Sequence, residues 1–86
     1  MIASTGKERR TLKSIAKVRT VDIKIGKKGL TENVIKEIKV VLRRDKMIKV
    51  AFCQEKLKRA ELVKTLEDSL NSTLIELVGK TATFVI

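Results

Sequence analysis

Between Val21 and Leu42 the apolar residues change period across a four-residue turn. Val21, Ile23 and Ile25 alternate with Asp22 and Lys24, as in a strand with one buried face. Gly26-Lys27-Lys28-Gly29 ends that pattern abruptly. Thr31 then offers an N-cap oxygen, and Glu32 places an acid where the helix dipole favours one. Val34, Ile35, Ile38, Val41 and Leu42 follow as one stripe at helical spacing, opposite Lys36, Glu37, Lys39, Arg43 and Arg44. A strand, a glycine-bounded turn and a capped helix in direct succession restrict the chain to folds in which helices lie on a sheet.

The 86 residues are enough for one domain and not two. Residues 1–10 are polar and basic and read as a flexible arm or a frayed helix start, with the domain proper over residues 11–86. A short first helix is expected over Thr11–Lys17 on Leu12, Ile15 and Ala16, and the first strand over Val18–Ile25. Ile48, Val50 and Phe52 mark a second strand. Leu62, Val63, Leu66 and Leu70 mark a third helix from about Lys56 to Leu70. Thr73–Val78 and Thr81–Ile86 read as a hairpin around Gly79-Lys80. The expected fold class is α/β (α+β): a single compact αβαβαββ domain with a four-stranded mixed sheet packed with three helices. Strand–helix–strand units close right-handed with parallel strands. The first three strands should therefore end at one edge, where open sheets bind their ligands. Lys24, Lys27, Lys28 and Lys80 are expected to surround one spot there.

Charge says what kind of ligand. Lys and Arg number 20 against 10 acids, a net of +10. Residues 1–50 hold 15 of those bases and 5 acids, whereas residues 51–86 hold 5 of each. The excess thus lies wholly in the first half, the electrostatic footprint of a face that meets a polyanion. A membrane surface is the weaker match, because an interfacial helix needs exposed large apolar residues and both phenylalanines, Phe52 and Phe84, fall in strands. No apolar run is long enough to span a bilayer.

The absence of His and the single Cys exclude a Cys/His zinc centre, a Ser-His-Asp triad and a Cys-His dyad. No catalytic residue, metal, cofactor or small-molecule substrate is expected. One cysteine cannot form an internal disulfide, which suits the cytoplasm, and Cys53 is expected to be buried and inert. Gly79-Lys80-Thr81 echoes a P-loop, but Leu74 stands where that motif needs glycine, and a strand follows instead of a helix. Glu61, Glu67 and Asp68 read as the solvated face of the third helix.

The turn itself carries the sharper expectation. A Gly-x-x-Gly loop with basic tips is how KH domains hold nucleic acid. The unpaired amides at the following helix terminus add a partial positive charge. Modules that stack bases need exposed aromatics, which this chain lacks. A clamp on the sugar-phosphate backbone remains. The candidate nucleic-acid contacts are Gly26, Lys27, Lys28, Gly29, Lys24, Thr31, Lys80, Arg19 and Lys36, with Lys39 and the basic arm adding affinity.

Leu12-Lys13-Ser14-Ile15-Ala16 and the run Val21-Asp22-Ile23-Lys24-Ile25-Gly26-Lys27-Lys28-Gly29-Leu30-Thr31 resemble the opening of the CRM domain (chloroplast RNA splicing and ribosome maturation). Val34-Ile35-Lys36-Glu37-Ile38, Met47-Ile48-Lys49-Val50 and Leu74-Ile75-Glu76-Leu77-Val78-Gly79-Lys80-Thr81 continue the likeness, which covers about residues 11–85. The chain is most similar to the stand-alone, single-domain YhbY form. That resemblance implies an RNA-binding protein akin in fold to the carboxyl-terminal domain of translation initiation factor 3. It also implies ribosomal RNA or pre-ribosomal particles as partner, in large-subunit assembly, with Gly26 to Gly29 as the RNA loop. The chain departs from the family pattern at Glu76 and at its Phe84-Val85-Ile86 end. The residues leave two other readings open: a nonspecific DNA-binding chromatin protein, and a module that docks on another protein. The expected assembly is a monomer or weak dimer, with a two-fold dimer the mark of the DNA-binding reading.

Overall fold

The computed structural model describes residues 6–86. The elements run α1 (Gly6–Val18), β1 (Ile23–Ile25), α2 (Glu32–Asp45), β2 (Met47–Phe52), α3 (Lys56–Leu70), β3 (Thr73–Val78) and β4 (Thr81–Val85). The sheet order is β1-β2-β4-β3. β1 is parallel to β2, and β4 is antiparallel to both β2 and β3. The expected αβαβαββ order and mixed sheet are present. β1, β2 and β3 all point the same way, although β4 lies between β2 and β3.

The pleat divides the sheet into two faces. Ile48, Val50 and Phe52 alternate with Met47, Lys49 and Ala51 along β2. The first set packs with Ile25, Ala82 and Phe84 against Ile38 and Leu42 of α2 and Leu62, Val63 and Leu66 of α3. The second face carries a smaller cluster of Met47, Ile75 and Val85, covered by Leu12 of α1. The result is three layers, with α2 and α3 on one side of the sheet and α1 on the other. Of the stripes identified by periodicity, those of α2 (apart from Ile35) and α3 pack on the larger core, while α1 sends Leu12 to the smaller one and leaves Ile15 largely exposed. Between Leu74 and Glu76 the β3 register shifts, leaving Ile75 without a partner in the ladder. Leu74 packs on the α2/α3 face and Ile75 on the α1 face, as strand alternation requires, and the bulge then sets Glu76, opposite Thr83, on the same face as Ile75.

The start of the chain differs from expectation. α1 begins at Gly6 rather than Thr11, so residues 6–10 are helical, while residues 1–5 of the expected arm lie outside the described residues. Its first two turns are almost all polar, so apolar spacing gives no sign of them. β1 is confined to Ile23–Ile25, because Val18 belongs to the helix and residues 19–22 carry a different set of bonds. Lys49 Nζ donates to the carbonyls of Ala16 and Arg19, each at 2.9 Å, and so closes the carboxyl end of α1. Asp22 N donates to Lys49 O, and Asp22 Oδ2 accepts from Lys49 N, both at 2.8 Å. That exchange fixes the entry into β1 through a side chain instead of two further ladder residues.

At the same end of the sheet, Arg19 Nε and Nη2 form a fork on the Asp22 carboxylate at 2.8 and 3.0 Å. Arg19 Nη2 also reaches Asp45 Oδ2 at 2.7 Å, and Arg44 holds the same Asp45 carboxylate through Nε and Nη2. Hydrogen bonds from Arg44 and then Arg19 lower the Asp45 carboxyl from its ordinary 3.8 to about 2. A depressed carboxyl stabilises the fold above its unfolded pKa and loses that contribution as pH falls through the folded one. Asp45 therefore supports the fold fully above about pH 4 and loses this support between about pH 4 and pH 2. The melting temperature of the wild type should fall more steeply across that window than that of Asp45→Asn. Parallel pH profiles for the two proteins would refute the assignment.

Candidate nucleic-acid interface

Three connections meet at the opposite end of the sheet, beyond the carboxyl ends of β1, β2 and β3. Gly26-Lys27-Lys28-Gly29 closes a turn through Gly29 N donating to Gly26 O at 3.0 Å. Gln54, which follows β2, donates from Nε2 to the same Gly26 oxygen at 2.7 Å. Lys80 in the β3–β4 turn accepts from Phe52 N through its carbonyl at 2.8 Å. Direct bonds thus join the Gly26–Gly29 turn to Gln54 and the Gly79-Lys80 turn to the last residue of β2.

The two glycines of the loop differ. Gly29 has φ +74°, a conformation that costs an L residue about 1–2 kcal/mol. Gly26 has no positive φ, and a Cβ built on it meets nothing within 4 Å. The folded chain therefore demands glycine at 29 and makes no such demand at 26. Thr31 caps α2 as expected, its Oγ1 accepting from Val34 N at 3.3 Å. α3 also starts at this end, directly after Gln54, so two helix amino termini and their partial positive charges converge there.

Lys27 and Lys28 are exposed at the tip of the turn, and Lys24 in β1, Lys36 in α2 and Lys80 in the β3–β4 turn are exposed as well. Among the described residues none of these five ammonium groups lies in an ion pair. Lys24 belongs to the row Lys24, Ala51, Thr81 and Val78 on the α1 face. Lys36 lies one turn into α2. Glu32 and Glu55, the first residue of α2 and the N-cap of α3, are the nearby acids by position.

Arg19 is placed elsewhere. Its guanidinium is committed to Asp22 and Asp45 at the far end, and the Asp22 hydrogen bond, ahead of the Asp45 one, raises its pKa further. Lys39 lies by Arg43, Ser69 and Ile86 in a depression between the carboxyl ends of α2 and α3. Neither is brought to the loop. Cys53 corrects an expectation: it is exposed, because the alternation that buries Phe52 ends with β2 and leaves the next residue at the surface. Gln54 was not among the sequence-derived candidates. Its partner is 28 residues away, and no local pattern marks such a bond. Among the described residues there is no cluster of three metal-ligating side chains, and no helix is long and apolar enough to cross a membrane.

Comparison with known proteins gives one consistent result. The CRS1 / YhbY (CRM) domain family matches residues 5–85. The chain is 32% identical over 80 residues to "Probable RNA-binding protein YqeI" of Bacillus subtilis (strain 168), covering 90% of this chain and 81% of that protein. It superposes on the solution structure of SAV1595 from Staphylococcus aureus, itself only proposed to bind RNA, with a TM-score of 0.82 and 34% identity. That match covers 99% of this chain and 88% of the other.

Proposed function

The chain belongs to the CRS1 / YhbY (CRM) domain family, and from that premise we propose that it is a non-catalytic RNA-binding protein that grips the sugar-phosphate backbone with Gly26–Gly29 and the amino end of α2. We further propose that its target is ribosomal RNA, in large-subunit assembly in the cytoplasm. The observation that carries this reading is the uneven neutralisation of charge. At one end of the sheet Arg19 and Arg44 are paired with Asp22 and Asp45. At the other end Lys24, Lys27, Lys28, Lys36 and Lys80 are exposed and, among the described residues, unpaired. The names of the similar bacterial proteins support the choice of RNA as the polyanion.

A backbone clamp explains Gly26. Open space around it costs the fold nothing and lets a phosphate come within reach of main-chain atoms. Gly26→Ala should leave stability within about 0.5 kcal/mol of wild type while weakening binding to a single-stranded ribosomal RNA fragment severalfold. Gly29→Ala should cost the fold about 1 kcal/mol or more. Filter binding and thermal melts, with duplex DNA of matched length in parallel, check both. Undiminished RNA binding by Gly26→Ala would remove the close approach from the mechanism, and a preference for the duplex would point to DNA instead.

A further inference from the structure

The loop is supported by a residue outside it that carries no charge and is partly buried. Gln54 Nε2 donates to Gly26 O at 2.7 Å, so that carbonyl accepts twice, from the Gly29 main-chain amide within the turn and from the Gln54 side-chain amide outside it. Gln54 Oε1 is buried, with no hydrogen-bond partner among the described residues. The Gly26 bond therefore fixes how the amide is oriented, since turning it over would set two oxygens against each other. The main chain of Gln54 is itself held. Arg59 Nη1, one turn into α3, donates to Gln54 O at 3.2 Å, and Arg59 N donates to Glu55 O at 2.8 Å. A chain of bonds thus runs from the first turn of α3, through the β2–α3 connection, to the turn that presents Lys27 and Lys28.

We infer that Gln54 is a positioning residue for the lysine loop: it holds the Gly26–Gly29 turn against the end of β2 so that the two ammonium groups are presented in one arrangement. The inference rests on the proposed RNA-binding role of the loop and adds to it a residue outside the loop that sets its affinity. Its physical basis is preorganisation. A turn already fixed in its bound geometry loses less freedom when the ligand arrives. Gln54 contributes no charge, so removing its amide should weaken binding without changing how many phosphates are neutralised.

That difference makes the inference testable. Gln54→Leu keeps most of the side-chain volume and deletes the donor, and Gln54→Ala serves as a second variant. Both are compared with wild type and with Lys27→Glu/Lys28→Glu on one single-stranded ribosomal RNA fragment across a salt series, with thermal melts alongside. Loss of one neutral hydrogen bond should lower affinity about three- to tenfold. The slope of log affinity against log salt should stay at the wild-type value, and the Gly29 amide should exchange with solvent faster than in wild type. A folded Gln54→Leu protein that binds as tightly as wild type would overturn the inference. So would a slope that falls as it does in the lysine variant, since Gln54 would then act with the charges themselves. Failure of both Gln54 variants to fold would make the residue a determinant of the fold and overturn the assigned role. If the lysine variant itself binds like wild type, it is the RNA-binding reading of the loop that fails, and the slope and exchange data on Gln54 identify that case separately.

Discussion

Lys27→Glu/Lys28→Glu binds single-stranded RNA roughly a hundredfold or more weakly than wild type near 0.1 M salt, with an unchanged melting temperature. Each lysine that neutralises a phosphate on a single strand contributes about −0.7 to the slope of log affinity against log salt. Losing both should make the slope shallower by about 1.4. The two new carboxylates add repulsion to that loss, which is why the reversal should exceed the effect of alanine at the same positions. The fold should not register the change. Both side chains are exposed, neither is in an ion pair among the described residues, and the turn is closed by main-chain atoms. Surface changes of this type stay within about 0.5 kcal/mol. A binding isotherm and salt slope indistinguishable from wild type would mean that the free charge at this end of the sheet is not where RNA is held.

The largest effect on stability is expected at Phe84. It is 1% exposed in the middle of β4, with Ile48 and Leu74 as its cross-strand neighbours on the face covered by α2 and α3. The chain has two phenylalanines and no other aromatic residue, so little else of that size is at hand to fill the gap. Phe84→Ala should cost about 3–5 kcal/mol, from lost apolar burial and from the cavity left behind. A domain of this length is held by only about 5–15 kcal/mol in total. At about 4–8 °C per kcal/mol, the melting temperature should fall by tens of degrees. Urea unfolding of the variant and wild type measures it directly. A loss under about 1 kcal/mol would show that the two core layers can close over the site.

Much of this was legible from residue pattern alone, and the parts that were not share a cause. The stripe from Val34 to Leu42, the span of α3 and the hairpin around Gly79-Lys80 are local signals, and the structure has them where they were expected. So too the meeting of three loops at one end follows from strand direction, which topology fixes without any side-chain detail. The start of α1 at Gly6 stayed unplaced, between an arm and a frayed helix start, because Lys7, Glu8, Arg9 and Arg10 have no apolar spacing to read. The short β1, the commitment of Arg19 and the role of Gln54 escaped for another reason. Each depends on a partner 26 to 33 residues away: Asp45 for Arg19, Gly26 for Gln54, Ala16 for Lys49. Arg19 in particular reads as one more base near the loop until Asp22 and Asp45 are placed beside it. Cys53 was misjudged because the general tendency of a free cysteine to be buried was applied to a residue that lies just past the end of β2.

The outer strands bear on how copies of the protein behave when crowded. A long polyanion gathers basic domains at high local concentration, the circumstance in which exposed strand edges join sheet to sheet. Here one border of the sheet is β1, only three residues long. The other is β3, whose ladder is broken at Ile75 and followed at once by the charged Glu76. A short border and a kinked, charged one are both poor templates for another chain. Neighbours brought together on one RNA should therefore remain separate, reversible occupants rather than seeds of a fibre.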